Sequence, residues 1–281
     1  MWMSIDTHEL YNTIPFRHSF RAFQNESISN EIRLDIQHFI DTMEVPFEHS
    51  VKCILFKAEY GKKLYNNGIN PPDNMAVFAQ TDLVSVSKAG FVGQLIMLYA
   101  VSRGLTTCWF GHYKLSELGR YFDGIATPNR IKESTLGYGY GKVTDVGERV
   151  ICCMPMGTRV ENSRRLVDFV AGKNGASRKP LDRLLETGMR IEDIPEDIRQ
   201  ILEYSKLAPS AANSQMWRFG YKNGSITVAK PVGYKHFKWE HPDTDVGMCA
   251  AHIWLGLCCK GYKPLVEVEQ NEDRAFWRFI F

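Results

Sequence analysis

Two long apolar stretches with the same glycine spacing constrain the fold more than any other feature of this chain. Gly90 is followed 14 residues later by Gly104, and Gly247 is followed 14 residues later by Gly261. Between about 82 and 103 the sequence is apolar nearly all round, which predicts a buried helix rather than a surface helix. Gly104 stands where a C′ glycine ends a helix. The recurrence predicts that the second part of the chain repeats the first.

The entries to two shorter helices repeat as well. The segment 28–33, ISNEIR, is echoed by the segment 194–199, IPEDIR, and each opens a helix that leads to a strand. The shared order of helix, strand and glycine-bounded helix predicts two half-copies, residues 1–170 and residues 171–281. A chance similarity of two apolar helices is the alternative, because long helices that end in glycine are common.

Composition narrows the class of protein. Of the 281 residues, 44% are hydrophobic, which predicts an ordered globular protein with a sizeable core. The net charge of +2 argues against a dedicated nucleic-acid binder. No secretory signal is visible, and the apolar stretch 91–105 is interrupted by Gln94 and Arg103 and is too short to span a bilayer. Seven cysteines without a CxxC motif predict reduced thiols and a cytoplasmic location.

Further elements follow from local patterns. Ser29 is the predicted N-cap of a helix, and apolar runs predict strands at 51–57, 75–80 and 149–154. The Gly-, Asn- and Pro-rich segment 60–74 predicts a surface connection. Residues 123–148 contain glycines at a spacing of two but lack the strand and helix of a dinucleotide-binding motif, which favours a mobile loop.

The segment 207–219, LAPSAANSQMWRF, follows an amphipathic helix and leads into an aromatic-rich strand. Pro209 disfavours helix at Ala208, and the small polar residues after it leave backbone amides and hydroxyls accessible to a planar ligand. An ordinary helix–loop–strand junction is the simpler interpretation of these residues taken alone.

Three motifs together resemble the nitroreductase family of flavin enzymes. The segment 209–217 is similar to the family's PSxxNxQPW, although Met216 stands where that family usually has proline. The segment 17–23, RHSFRAF, matches its RxSxRxF, and 104–111, GLTTCWFG, matches its GLGTCWxG. The resemblance covers nearly the whole chain and is closest to a divergent branch, the putative TM nitroreductases. It implies an α+β fold, a nitroreductase-like sheet flanked by helices, whose internal duplication forms a pseudo-dimer within one chain.

The resemblance also implies a site for FMN. Arg17, Ser19 and Arg21 match the residues that hold the phosphate, and Arg178 or Lys179 resembles a basic pair from the C-terminal part of the family. The ring is expected against Trp109 and against the loop residues Pro209, Ser210, Ala211 and Asn213. Ala211 replaces a hydroxyl residue that is common in the family. The Gly111 backbone N–H corresponds to the position that faces flavin N5, which makes Gly111 the predicted catalytic position.

The predicted function is reduction of a small organic acceptor, nitroaromatic or quinone-like, with NAD(P)H as reductant. The predicted protein is a monomer that mimics a homodimer, with one FMN per chain and no nucleic-acid or membrane partner. A non-catalytic flavin sensor or store is the first alternative, and reductive dehalogenation or flavin fragmentation is the second. A basic segment at 159–183 that binds an acidic partner is the third. His112 is a weaker catalytic candidate, and the histidines of 235–243 lack metal-ligand spacing, so no metal site is predicted.

Overall fold

Two long buried helices and two small sheets make up the framework of the protein. The computed structural model describes residues 5–65, 68–122, 148–161, 178–237 and 239–281. The helices are α1 (Thr7–Thr13), α2 (Asn30–Thr42), α3 (Leu83–Ser102), α4 (Leu115–Leu118), α5 (Glu196–Ser205) and α6 (Pro242–Cys259). The strands are β1 (Lys52–Lys57), β2 (Asp73–Ala79), β3 (Thr106–Thr107), β4 (Arg149–Gly157), β5 (Arg218–Lys222), β6 (Ser225–Ala229), β7 (Leu265–Asn271) and β8 (Arg274–Ile280).

The two sheets have the same topology. The first is ordered β1-β2-β4-β3 and the second β5-β6-β8-β7, and the strand pairs of both are antiparallel. In each half a short helix precedes the first strand, and a long helix follows the second strand. The α+β fold class and the internal duplication are therefore confirmed, with the predicted sheet divided into one four-stranded sheet per half.

The long helices α3 and α6 pack against each other in a reciprocal manner. A Cβ atom on Gly90 would lie 2.8 Å from the carbonyl carbon of Thr244, and one on Gly247 would lie 2.7 Å from that of Ser87. Each glycine thus meets the residue three positions before the other glycine. Only glycine allows the two backbones to approach this closely. The glycine pair that marks the repeat in the sequence is the contact that joins the two halves.

Local signals at the helix ends agree with the prediction. The Ser29 side chain accepts a hydrogen bond from Ile32 N and caps α2, and Asp82 caps α3 in the same way through Ser85 N. Beyond the long helices, Gly104 and Gly261 have φ values of 81° and 88°. Left-handed backbone of this kind is favourable for glycine and ends a helix cleanly.

One local prediction is wrong in part. Among the described residues of 60–74, Tyr60, Lys62 and Lys63 are exposed as expected of a surface connection, but Leu64, Tyr65 and Asn70 are buried and β2 already begins at Asp73. Its polar side chains make internal hydrogen bonds, including one of 2.8 Å from Tyr65 Oη to Asn74 Oδ1. A buried polar group that is hydrogen-bonded costs little, which is why a polar composition misidentified this segment.

Two further predictions concern length and boundaries. The apolar stretch 91–105 was predicted to be too short to span a membrane, but helix α3 has 20 residues and the hydropathy of a membrane span. Length alone therefore does not exclude a membrane span. However, 78% of the most apolar window of α3 is buried within the protein, as in the core helix of a globular protein. Residues 123–147 of the predicted loop, most of the basic segment 159–183 and the boundary between residues 170 and 171 lie outside the described residues. The division into 1–170 and 171–281 remains a prediction.

Candidate functional site

The loop between α5 and β5, residues 207–217, has an unusual backbone. Ala212, Asn213 and Gln215 have φ values of 49°, 54° and 44°. Residues other than glycine rarely adopt this left-handed backbone conformation. Such a conformation persists only where the surrounding structure enforces it. Ser210 Oγ contributes by accepting a 3.0 Å hydrogen bond from Gln215 N. We call residues 207–217 the second-half loop.

The basic pair Arg178 and Lys179 holds this loop in place. Arg178 donates to Leu207 O at 2.8 Å and to Ala208 O at 2.7 Å, and a third bond reaches Asn213 Oδ1 at 3.3 Å. Lys179 Nζ donates to Ser214 O at 2.7 Å, while its backbone N–H donates to Gln215 Oε1 at 2.8 Å. The Lys179 ammonium therefore shapes the loop, and Arg178 is the member of the pair that also approaches Arg17.

Arg17 is a buried cation. Its Nη1 donates to Ser19 Oγ at 3.0 Å, and its Nε is buried without a hydrogen-bond partner among the described residues. Burial, together with the positive charge of Arg178, lowers the pKa of Arg17 to about 10. Burial also lowers the pKa of Arg178 to about 10. Among the ion pairs of the described residues, none joins a carboxylate to Arg17, Arg21 or Arg178.

Strand β3 brings the sequence motifs 17–23 and 104–111 together. Ser19 forms a parallel bridge with Thr107, and Phe20 N donates to Thr107 O at 3.3 Å. The guanidinium of Arg21 lies 5.1 Å from the centre of the Phe110 ring, and its Nε is buried without a partner in the described part of the chain. Burial raises the pKa of the nearby Cys108 thiol, and the charges of Arg21 and Arg17 oppose this shift.

A buried polar chain connects Trp109 with the helix pair. Trp109 Nε1 donates to Gln94 Oε1 at 3.1 Å, and Gln94 Nε2 lies 2.9 Å from His252 Nε2. Burial lowers the pKa of His252 to about 3, and the charges of Arg17 and Arg178 contribute to the shift. Gln94 and His252 were not predicted as site residues, although a polar residue in the middle of an all-apolar helix is the signal that identifies them.

The Trp109–Gly111 turn is fixed on one side and covered on the other. Phe110 exchanges two backbone hydrogen bonds with Cys153, both of 2.9 Å. Trp239, from the segment between β6 and α6, packs directly on Gly111, so that a Cβ atom there would lie 2.6 Å from Trp239 Cη2. The structure thus places the second half over the position that was predicted to face the flavin. No sequence motif pointed to Trp239.

Asp245 supports the second-half loop from the first turn of α6. Its Oδ2 accepts a 2.8 Å hydrogen bond from Ala211 N. Burial raises the pKa of Asp245 to about 8; the Ala211 hydrogen bond lowers it, and the neighbouring carboxylate of Asp243 raises it. The loop residues themselves differ in exposure, since Pro209 is buried whereas Ser210, Ala211 and Asn213 are half-buried. Asp245 was not predicted, because only the tertiary structure brings it to the loop.

The predicted site residues therefore fall into three groups. The first group, Arg17, Ser19 and Arg21, surrounds Cys108. The second group, Trp109 and Gly111, belongs to the adjacent turn. The third group forms and holds the second-half loop and consists of Arg178, Lys179, Pro209, Ser210, Ala211 and Asn213. The described residues contain no cluster of three or more metal-ligating side chains. Both halves of the chain contribute to the site.

This fold is shared with a solved nitroreductase-like structure. The model of the family described as putative TM nitroreductase matches residues 9–123 and 137–257. The chain belongs to this family.

Several solved structures are similar to the chain. A putative nitroreductase from Thermotoga maritima aligns with 100% of this chain and 94% of its own, at 20% identity and a TM-score of 0.58. A putative nitroreductase in complex with FMN from Desulfovibrio desulfuricans aligns with 64% of this chain and 98% of its own, at 17% identity and a TM-score of 0.39. A nitroreductase family protein from Clostridium difficile aligns with 65% and 98%, at 11% identity and a TM-score of 0.41. No curated protein matches the sequence.

Proposed function

We propose that this protein binds FMN and uses it to reduce a small organic acceptor, nitroaromatic or quinone-like, with NAD(P)H as reductant. Membership of the nitroreductase family supports the reaction class. The observation that carries the proposal is the buried Arg17 with the partly buried Arg178, which interact electrostatically and have no carboxylate partner among the described residues. Buried charges are expensive unless they are paired, so this pair requires an anion.

The arginines fit the phosphate of FMN. A phosphate monoester carries a charge near −2 and offers three acceptor oxygens. Arg17 and Arg21 each have a buried Nε without a partner among the described residues, and the Ser19 hydroxyl lies beside them. Charge-assisted hydrogen bonds from such groups contribute about 1.5–3 kcal/mol each. These three residues would therefore hold the phosphate end.

The loop and the turn fit the ring system. Small residues at Ser210, Ala211 and Asn213 allow a planar group to approach the backbone, and Trp109 is fixed beside the turn by Gln94. Among the backbone hydrogen bonds of the described residues, none uses the Gly111 N–H, which is thereby available to a ligand. When bound, FMN accepts a hydride from a nicotinamide and passes reducing equivalents to the acceptor. The protein's part is to bind, orient and shield the reactants.

Oligomeric state and location are part of the proposal. One chain supplies both kinds of motif, so we infer that the active form is a monomer that mimics a homodimer. The seven cysteines are free thiols, which favours a reducing compartment such as the cytoplasm.

The test is an absorption spectrum of the purified protein after incubation with FMN, followed by steady-state assays. We expect bound oxidised flavin and oxidation of NADH or NADPH that depends on menadione or nitrofurazone. Bound flavin without turnover would favour a sensor or storage protein instead. Failure of the protein to retain flavin would contradict the proposal.

A further inference from the structure

The segment 230–241 reaches from the second half of the chain to the Trp109–Gly111 turn of the first half. It leaves β6, ends at the start of α6, and places the indole of Trp239 on Gly111. A Cβ atom on Gly111 would lie 2.6 Å from Trp239 Cη2 and 2.8 Å from Trp239 Cε3. No other residue than glycine therefore fits beneath this indole without displacing it.

The indole N–H of Trp239 has no hydrogen-bond acceptor among the described residues. Trp239 is 8% exposed, and its Nε1 is buried without a hydrogen-bond partner among the described residues. A buried tryptophan N–H usually finds an acceptor, so an unpartnered one indicates a missing acceptor. Trp217 Nε1 is likewise without a partner, but Trp217 is fully enclosed, with 0% exposure, in the core.

Two other tryptophans show what a satisfied indole looks like here. Trp109 Nε1 donates to Gln94 Oε1 at 3.1 Å, on the inner side of the same turn. Trp277 Nε1 donates to Ser87 Oγ at 2.8 Å. The turn is therefore flanked by one indole whose donor is paired within the protein and by another, Trp239, whose donor has no partner among the described residues.

The base of the segment is firmly attached. Lys230 Nζ donates to Asp273 O at 2.7 Å, Gly233 N donates to Asp273 Oδ2 at 3.1 Å, and Arg274 Nη1 donates to Lys230 O at 3.1 Å. The exposed residues of the described part of the segment include Val232 at 51% and Phe237 at 76%. These contacts to the β7–β8 turn position Trp239 over Gly111 from the opposite half.

The geometry points to Trp239 as a specificity-determining residue that covers the Gly111 end of the ring site. Its indole packs against a planar acceptor, and its Nε1–H donates to an oxygen at the edge of that acceptor. The inference rests on the proposed function, because it takes the ring of FMN to lie beside Gly111. It adds a selecting residue that none of the three sequence motifs contains.

The test measures binding rather than turnover. Coumarin, a planar compound with one ring carbonyl that does not accept a hydride here, is titrated into the FMN-loaded protein, and its dissociation constant is read from the shift in flavin absorbance. We expect Trp239→Phe, which keeps a ring but loses the donor, to weaken coumarin binding about 5-fold, as for loss of one neutral hydrogen bond. Trp239→Ala, which also loses the ring, weakens it by more than about 10-fold.

The matched control is Trp277→Phe, the same chemical change at an indole outside the site. It leaves the coumarin dissociation constant unchanged, and Trp239→Phe leaves the FMN dissociation constant within about 2-fold of the wild-type value. Wild-type coumarin binding in both FMN-loaded Trp239 variants would overturn the inference. An effect of Trp239→Phe on FMN alone would overturn it too, since the donor would then serve the cofactor. Failure of the wild-type protein to take up FMN would instead refute the proposed function itself.

Discussion

The two halves use the same structural position in opposite ways. The segment from helix N-cap to first strand has one length in both halves, from Ser29 to Lys52 and from Pro195 to Arg218. The loop at 43–51, which we call the first-half loop, therefore corresponds to the second-half loop at 207–217. Phe47 stands in it where the second-half loop has Asn213.

Aromatic packing fills the first-half position. The Phe47 ring lies 4.9 Å from that of Phe91 and 5.2 Å from that of Trp277, both edge-on. Edge-to-face pairs at such distances are favourable and leave no room for another ring between them. At the second-half position, Asn213 accepts a hydrogen bond from Arg178 instead.

The supporting side chains have opposite hydrogen-bonding roles. Two positions before the crossing glycines stand Lys88 in α3 and Asp245 in α6. Lys88 Nζ donates to Glu48 O at 2.7 Å, whereas Asp245 accepts from Ala211 N at 2.8 Å. Lys88 thus holds the first-half loop through a backbone carbonyl, and Asp245 holds the second-half loop through a backbone amide. The duplicated framework attaches both loops in this way, but only the second-half loop contains residues that we propose to bind FMN.

The largest expected effect concerns the contact that both halves share. Gly247→Ala places a Cβ atom against the backbone of Ser87, which cannot move without shifting α3. We expect the free energy of unfolding to fall by roughly 3 kcal/mol, the upper end of the cost of overpacking. Urea unfolding followed by circular dichroism measures this.

Gly256→Ala in the same helix is the control. The new Cβ atom there would meet side-chain atoms of Ile201 and Tyr11 rather than backbone. Its effect is smaller, because side chains can rearrange. Equal effects of the two substitutions would show that the reciprocal glycine contact does not join the halves.

Loss of the buried cation is the next largest effect. Arg17→Ala weakens FMN binding roughly 10- to 100-fold, since one or more charge-assisted hydrogen bonds are lost. The fold survives, because Arg17 has no carboxylate partner in the described structure. Arg183, which is exposed and precedes α5 as Arg17 precedes α2, provides the control Arg183→Ala. Equal FMN affinities of both variants and wild type, by fluorescence titration, would exclude Arg17 from the phosphate site.

Removing the Phe47 ring from the first-half loop is expected to lower stability without changing FMN binding. Phe47→Ala lowers the free energy of unfolding by about 2 kcal/mol, less than for a fully buried ring because Phe47 is half-buried. FMN affinity and stoichiometry remain those of the wild type, since the arginines of the other position are untouched. A second FMN bound by this variant would show that Phe47 alone closes the first-half position.

The last expected effect is gradual and depends on pH. The pKa of folded Asp245 is about 8 against an ordinary 3.8, so between these values the folded protein holds a proton that the unfolded chain has released. Its contribution to stability therefore falls as pH rises from about 4 to about 8, by on the order of 1 kcal/mol per pH unit.

Asp245→Asn removes this slope, and melting temperatures between pH 5 and pH 8 measure it. Asp82→Asn, which exchanges one good N-cap of α3 for another, should keep the wild-type slope. Parallel pH profiles of Asp245→Asn and the wild type would contradict the buried, protonated state of Asp245.

Local patterns predicted the framework better than the site. Glycine spacing and apolar periodicity located α3 and α6, and the Ser29 cap located α2, because these signals lie within single elements. Motifs placed Arg17 and the second-half loop. Asp245, His252 and Trp239 were missed, since each lies in or just before α6 and only tertiary packing brings it to Ala211, Gln94 or Gly111. Segment 60–74 was misjudged because its polar groups are satisfied internally.

The central claim is that one chain contains one complete FMN site, built from the arginines of the first half and the loop of the second. Sedimentation velocity ultracentrifugation at the flavin absorption maximum, combined with flavin quantification after denaturation, tests it most directly. The account predicts flavin that sediments with a monomer of 32.2 kDa at one FMN per chain. Two FMN per chain, or flavin that sediments only with a dimer, would contradict it.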